Sequence, residues 1–149
     1  MYGNVLVPTD GSDASMEALD EAIDLAEELG SSIHILYVVE PEHYAPMNTP
    51  NPDMIESMEQ RAESEIERAV ERAETGDVAS VEQSVETGTT HETIISYIED
   101  NDIDLVIMGT HGRTGLDRIL LGSVTEKIVR LSPVPVLTVR PGEREGDEA

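Results

Sequence analysis

Glycines at positions 109, 112 and 122, the last followed by a serine, punctuate the stretch Gly109-Thr-His-Gly112-Arg-Thr-Gly-Leu-Asp-Arg-Ile-Leu-Leu-Gly122-Ser-Val-Thr125 in a way that suits phosphate. Glycine lets the backbone come close to a ligand. The first turn of a helix offers unpaired N–H groups and the positive end of a dipole. The apolar run Ile103-Asp-Leu-Val-Ile-Met108 before the glycines predicts a buried parallel strand, and the spacing from Ser123 to Leu131 after them predicts a helix. Strand, glycine loop and helix in that order predict an anion site, with the N–H groups of Gly122, Ser123, Val124 and Thr125 and two hydroxyls as phosphate donors. Ser123 can cap the helix at the same time, and Ser123 with Glu126 has the spacing of a capping box. Gly109 and Gly112 would let the loop pass close to ribose and phosphates, and Arg113 is the expected side-chain charge on the phosphates, with Arg118 as the alternative.

The spacing Gly, two residues, Gly, nine residues, Gly-Ser resembles the ATP-binding signature of the universal stress protein family. An opening strand that ends Val7-Pro8-Thr9-Asp10-Gly11-Ser12 and a closing Ser132-Pro-Val-Pro-Val-Leu-Thr-Val139 agree with it, so the resemblance runs from residue 2 to about 140. It implies a strand order of 3-2-1-4-5, which no periodicity in the chain reveals. It also implies that the backbone of Val39 or Val38, at the end of strand two, meets the adenine edge. The cofactors implied are ATP and Mg2+, and the role a nucleotide-dependent regulator in the stress response with slow or no hydrolysis. Neither G-x-x-x-x-G-K-[ST] nor G-x-G-x-x-G occurs, so a P-loop NTPase or a Rossmann dehydrogenase is not indicated. Adenylating α/β enzymes carry serine and two glycines before an acid after strand one, where this chain has Thr9-Asp10-Gly11-Ser12-Asp13. The competing readings are a weak ATPase and a dimeric interaction module that holds no nucleotide.

The elements that must position these residues alternate. Strands are expected at about 2–9, 33–39, 78–86, 104–109 and 134–139. Helices are expected near 14–29, ending at Gly30, from 53 to 74 with Asp53 and Glu56 as a capping pair, from Thr89 with Glu92 as a capping box to about Asn101, and from Ser123. Such alternation predicts a doubly wound, five-stranded parallel α/β sheet with helices on both faces. Ligands of such sheets sit outside the carboxyl ends of the strands where the connections diverge, which brings Pro8, Thr9 and Asp10 beside Gly109. Asp10 could bind a ribose hydroxyl or hold Mg2+ through water. Ser12 or Asp13 is expected to cap the first helix, with Gly11 serving the turn.

The chain has 149 residues, enough for one domain, assigned to 1–140, with an acidic tail at 141–149 expected to be disordered. With no cysteine, disulfide and thiolate chemistry are closed. No run is long and apolar enough for a bilayer and no signal-peptide pattern opens the chain, so a cytoplasmic protein is expected. The net charge is -23, from 32 acidic against 9 basic residues, and Lys127 is the one lysine. Self-repulsion of this size predicts adaptation to a salt-rich cytosol and disfavours a nucleic-acid or anionic-membrane partner. The site is the exception. Residues 109–130 hold Arg113, Arg118, Lys127 and Arg130 against Asp117 and Glu126, a net +2 that leaves -25 for the rest.

None of the four histidines, His34, His43, His91 and His111, shares a metal-ligand spacing with another. His34 and His91 are read as structural, and His111 is nearest the glycine loop. The proline-rich 40–52 connection could act as a flap over adenine. Strand five carries Pro133 and Pro135, as expected of an edge strand. Pairing Val134 to Val139 with a second copy would cover that edge, so a homodimer is expected, with protein partners unknown.

Overall fold

A computed structural model describes residues 2–41, 52–110 and 122–140. The proline-rich segment with His43, the loop with His111, Gly112, Arg113 and Arg118, and the acidic tail lie outside the described residues. Nine elements follow one another as β1 (Asn4–Pro8), α1 (Asp13–Leu29), β2 (Ser32–Val39), α2 (Pro52–Glu74), β3 (Ser80–Thr87), α3 (Thr90–Asp100), β4 (Leu105–Gly109), α4 (Ser123–Leu131) and β5 (Val136–Val139). All the pairings are parallel and the strand order is β3-β2-β1-β4-β5.

Two apolar layers explain why the sheet is covered on both faces. Val5, Val7, Ile33, Ile35, Leu105 and Ile107 pack under α1 and α2. Leu6, Leu36, Val106 and Met108 alternate with them and meet Ile94, Ile98 and Ile128 of α3 and α4. The central strands are apolar on both sides, as a doubly covered parallel sheet requires. The chain has no phenylalanine or tryptophan, so the layers are built mostly from aliphatic side chains. Among the described residues no helix is long and apolar enough to cross a membrane.

Helix boundaries differ from local expectation in instructive ways. Ser12 does cap α1, its Oγ accepting from the Ser15 N–H at 3.2 Å. α2, however, begins at Pro52, so Asp53 lies within the first turn rather than at the cap. Thr89 is the N-cap of α3 but makes no side-chain capping bond. The Glu40 carboxylate, just past β2, takes that role and accepts from both the N–H and the hydroxyl of Thr90.

β5 starts only at Val136, so Pro133 and Pro135 precede it. The Pro135 and Val139 carbonyls accept from the N–H groups of Val106 and Thr110, each at 3.0 Å. In a parallel ladder the two amide groups of a residue point the same way. The odd positions therefore turn to β4, and the missing N–H of Pro135 is on the inner side, not on the outer edge as the sequence suggested. The outer edge is left to Val136 and Thr138.

Away from the carboxyl edge, His34 pairs in β2 with Leu6, and its ring is held by the Tyr97 hydroxyl at 2.9 Å and Asn4 Oδ1 at 3.3 Å. Burial lowers its pKa below the usual 6.5 against a smaller opposing pull from Glu82.

Candidate functional site

β1 and β4 lie side by side, and the connections leaving them diverge: α1 covers one face of the sheet and α4 the other. The crevice between their carboxyl ends is bounded by Pro8 and Gly109, so two segments a hundred residues apart meet there. Thr9 prolongs β1 by donating its N–H to the Leu36 carbonyl at 2.9 Å. Its buried hydroxyl is engaged with Ser15 Oγ at 2.9 Å and accepts from the Gly11 N–H at 3.2 Å. Asp10 Oδ1 accepts from the Ser12 N–H at 3.0 Å. These bonds wind residues 9–15 into a closed turn that needs Gly11 at φ +83°, a conformation side chains disfavour. Ser15, missed in the sequence, is part of the turn; its spacing from Thr9 carries no recognisable signal.

On the β4 side, Gly109 answers to packing. A Cβ there would lie 3.0 Å from the Ala14 Cβ and 3.1 Å from the Ala14 carbonyl carbon and oxygen. The glycine lets the first turn of α1 approach the end of β4. Thr110, another residue not singled out beforehand, accepts the Gly122 N–H at 2.7 Å and so ties the start of α4 to the end of β4.

The N-cap of α4 is Gly122, with φ -64°, ψ 160° and no side-chain capping bond, so Ser123 occupies the first helical position, exposed, and the expected Ser123–Glu126 box is not made. The first helical bond runs from the Glu126 N–H to the Gly122 carbonyl at 2.9 Å. Helix geometry leaves the N–H groups of Ser123, Val124 and Thr125 without helical acceptors. The Thr125 hydroxyl, expected on phosphate, is buried and donates to the Gly109 carbonyl at 2.9 Å. Thr125 keeps its backbone N–H as the candidate donor.

At the far wall, the Val39 carbonyl already accepts the Gly88 N–H at 2.9 Å, which turns Val39 toward β3. Leu36 bonds toward β1, so by alternation Val38 turns its amide groups to that side, beyond the last β1–β2 pair at Pro8 and Leu36. Of the two valines it is Val38, not Val39, whose backbone is aimed into the crevice.

For a divalent cation, the hard oxygen donor that the described residues of the crevice offer is the Asp10 carboxylate. Among the described residues no three His, Cys, Asp or Glu side chains could hold a metal together. Such a site suits Mg2+ that takes its other ligands from phosphates and water.

The model of the universal stress protein family matches residues 1–140. The chain belongs to that family. Universal stress protein MJ0531 of Methanocaldococcus jannaschii is 33% identical over 147 residues, 97% of this chain and 86% of the relative. The solved structure of MJ0577, from the same archaeon, is 30% identical with a TM-score of 0.83 over 94% of this chain and 96% of that one. A universal stress protein solved in complex with cAMP superposes with a TM-score of 0.74 at 24% identity, over 95% of this chain and 99% of that one, a likeness of fold. The α/β sheet with order 3-2-1-4-5 and helices on both faces is therefore that of its structural neighbours.

Proposed function

We propose that the crevice binds an adenine nucleotide, ATP with Mg2+, and that the protein is a nucleotide-dependent regulator in the stress response with slow or no hydrolysis. The observation that carries this reading is the start of α4, where three consecutive N–H groups without a side-chain cap stand beside the divergence of β1 and β4. A triphosphate would take those donors, Asp10 would orient Mg2+ or a ribose hydroxyl, and the Val38 backbone would meet the base. Bound Mg2+ would neutralise phosphate charge. The cAMP held by a protein of this fold supports a nucleotide of this class.

The test is thermal unfolding in molar KCl with Mg2+ and ATP, AMP or GTP, for the wild type and for Gly122→Val, whose branched side chain would crowd the phosphate approach. ATP at a hundredfold excess over Kd should stabilise the wild type by about 2.7 kcal/mol. The variant should lose that gain. A nucleotide-free wild type that does not respond to any of the three would overturn the reading and leave an interaction module.

The same reading includes a cytoplasmic homodimer paired along the outer edge of β5. That edge, Val136-Leu-Thr-Val139, has no charge, and Leu137 is 40% exposed. The opposite edge strand, β3, carries Glu82 and Glu86 within it, whose repulsion guards it. Light scattering in molar KCl should give twice the chain mass; a monomer would refute the pairing.

A further inference from the structure

The turn that carries Asp10 is braced from outside by a helix that neither the glycine signature nor the switch point involves. Gly11 turns its Cα toward α2, where a Cβ would meet the Glu65 carboxylate, 2.7 Å from Cδ and 2.8 Å from Oε1. Arg68 closes the arrangement: its Nη2 donates to Glu65 Oε1 at 2.8 Å and to the Gly11 carbonyl at 3.3 Å. One guanidinium nitrogen thus joins a carboxylate of α2 to the backbone of a turn 57 residues earlier. Two features give this bridge a consequence at the site. Gly11 is the residue between Asp10 and the cap of α1, and its carbonyl belongs to the Gly11–Ser12 peptide, whose N–H is the one that Asp10 Oδ1 accepts. Without Arg68, moreover, the Glu65 charge would face the acidic turn unscreened, in a chain that is already strongly anionic.

We infer that Glu65 and Arg68 are positioning residues, which hold the β1–α1 turn in the shape that presents the Asp10 carboxylate to the Mg2+ of a bound nucleotide. The inference rests on the nucleotide reading above. The pair acts through the turn and touches no ligand itself. Residues that orient a metal-binding carboxylate from behind change metal affinity by about 10- to 100-fold when removed. An exposed ion pair of this kind adds little to global stability, so its loss leaves a folded protein.

Equilibrium dialysis of the full chain against labelled ATP in molar KCl, once with Mg2+ and once with EDTA, tests it. The double variant Glu65→Gln/Arg68→Met removes one charge of each sign and leaves the net charge unchanged. It should weaken binding about tenfold with Mg2+ and by no more than about twofold with EDTA. Arg68→Lys, which keeps a donor near Gly11, should retain most of the Mg2+-dependent gain. Equal weakening under both conditions would mean a merely loosened fold and would overturn the inference. So would unchanged binding, a lysine variant no better than the double variant, or a wild type that binds ATP equally with and without Mg2+. If the wild type binds ATP under neither condition, the nucleotide reading itself fails and takes the brace's role with it.

Discussion

In about 0.1 M salt the protein is expected to melt roughly 5–10 °C below its melting temperature in about 3 M KCl. The cause is concentrated in one layer. α1 carries seven acidic residues and no basic one, and α2 beside it carries eight acids against Arg61, Arg68 and Arg72. On α1 the pairs Asp13–Glu17, Glu17–Glu21, Asp20–Asp24 and Asp24–Glu28 are one turn apart. Each such like-charge pair costs about 0.2–0.5 kcal/mol at low salt. Glu27 and Glu28 also oppose the negative end of the helix dipole, where α1 has no cation. Described relief is small: Arg72 reaches Asp20 at 3.3 Å, and Arg68 is engaged by Glu65. Summed over the layer these terms come to about 3 kcal/mol, and a domain of this size shifts by about 3 °C per kcal/mol. Screening at molar salt, where the Debye length is about 3 Å, removes most of them. Glu21→Gln with Asp24→Asn should flatten the salt dependence, because it removes charge without touching the buried face. A melting temperature that is the same in dilute buffer and in molar KCl would end the proposal of salt adaptation.

Gly109→Val is expected to be the most damaging single substitution near the crevice. Even alanine would place a Cβ 3.0–3.1 Å from Ala14, and two of the three atoms met are backbone that cannot rotate away. Overfilling a packed contact costs about 1–3 kcal/mol, with the extra methyls of valine at the upper end. Relief would require the first turn of α1 to back away from β4, and that turn carries Ser12 and Ser15 of the network behind Asp10. The variant should therefore lose both stability and nucleotide affinity. Urea unfolding in molar KCl should show a lower midpoint with an unchanged slope. Gly109→Ala should fall between it and the wild type. Wild-type stability in the valine variant would mean that the two elements are not in close contact.

The fold was legible where one element speaks for itself. Apolar runs marked the central strands, Gly30 ended α1, and Ser12 capped it. The order 3-2-1-4-5 came from a resemblance carried by the glycine spacing, because alternation alone does not say which strand is central. Local rules failed where a distant group won. Thr89 has the right neighbours for a cap, yet Glu40, fifty residues earlier, holds the Thr90 N–H. Ser123 precedes Glu126 at capping distance, but the Thr110 carbonyl draws in Gly122 and moves the cap back by one residue. Thr125 reads as a phosphate hydroxyl until Gly109 claims its proton. Pro135 reads as an edge-guarding residue until the register turns it inward. In each case the missing information was a tertiary hydrogen bond, which spacing within one element does not encode.

Glu40 also changes how the molecule comes apart. A helix end ordinarily frays by itself, its first amides opening without disturbing anything else. Here the first turn of α3 is fastened to the residue that leaves β2, so releasing it means undoing a contact with the end of a strand paired on both sides. The start of α3 thus belongs to the same cooperative unit as β2 and β3, and the Thr90 amide should exchange with solvent as slowly as the strands do.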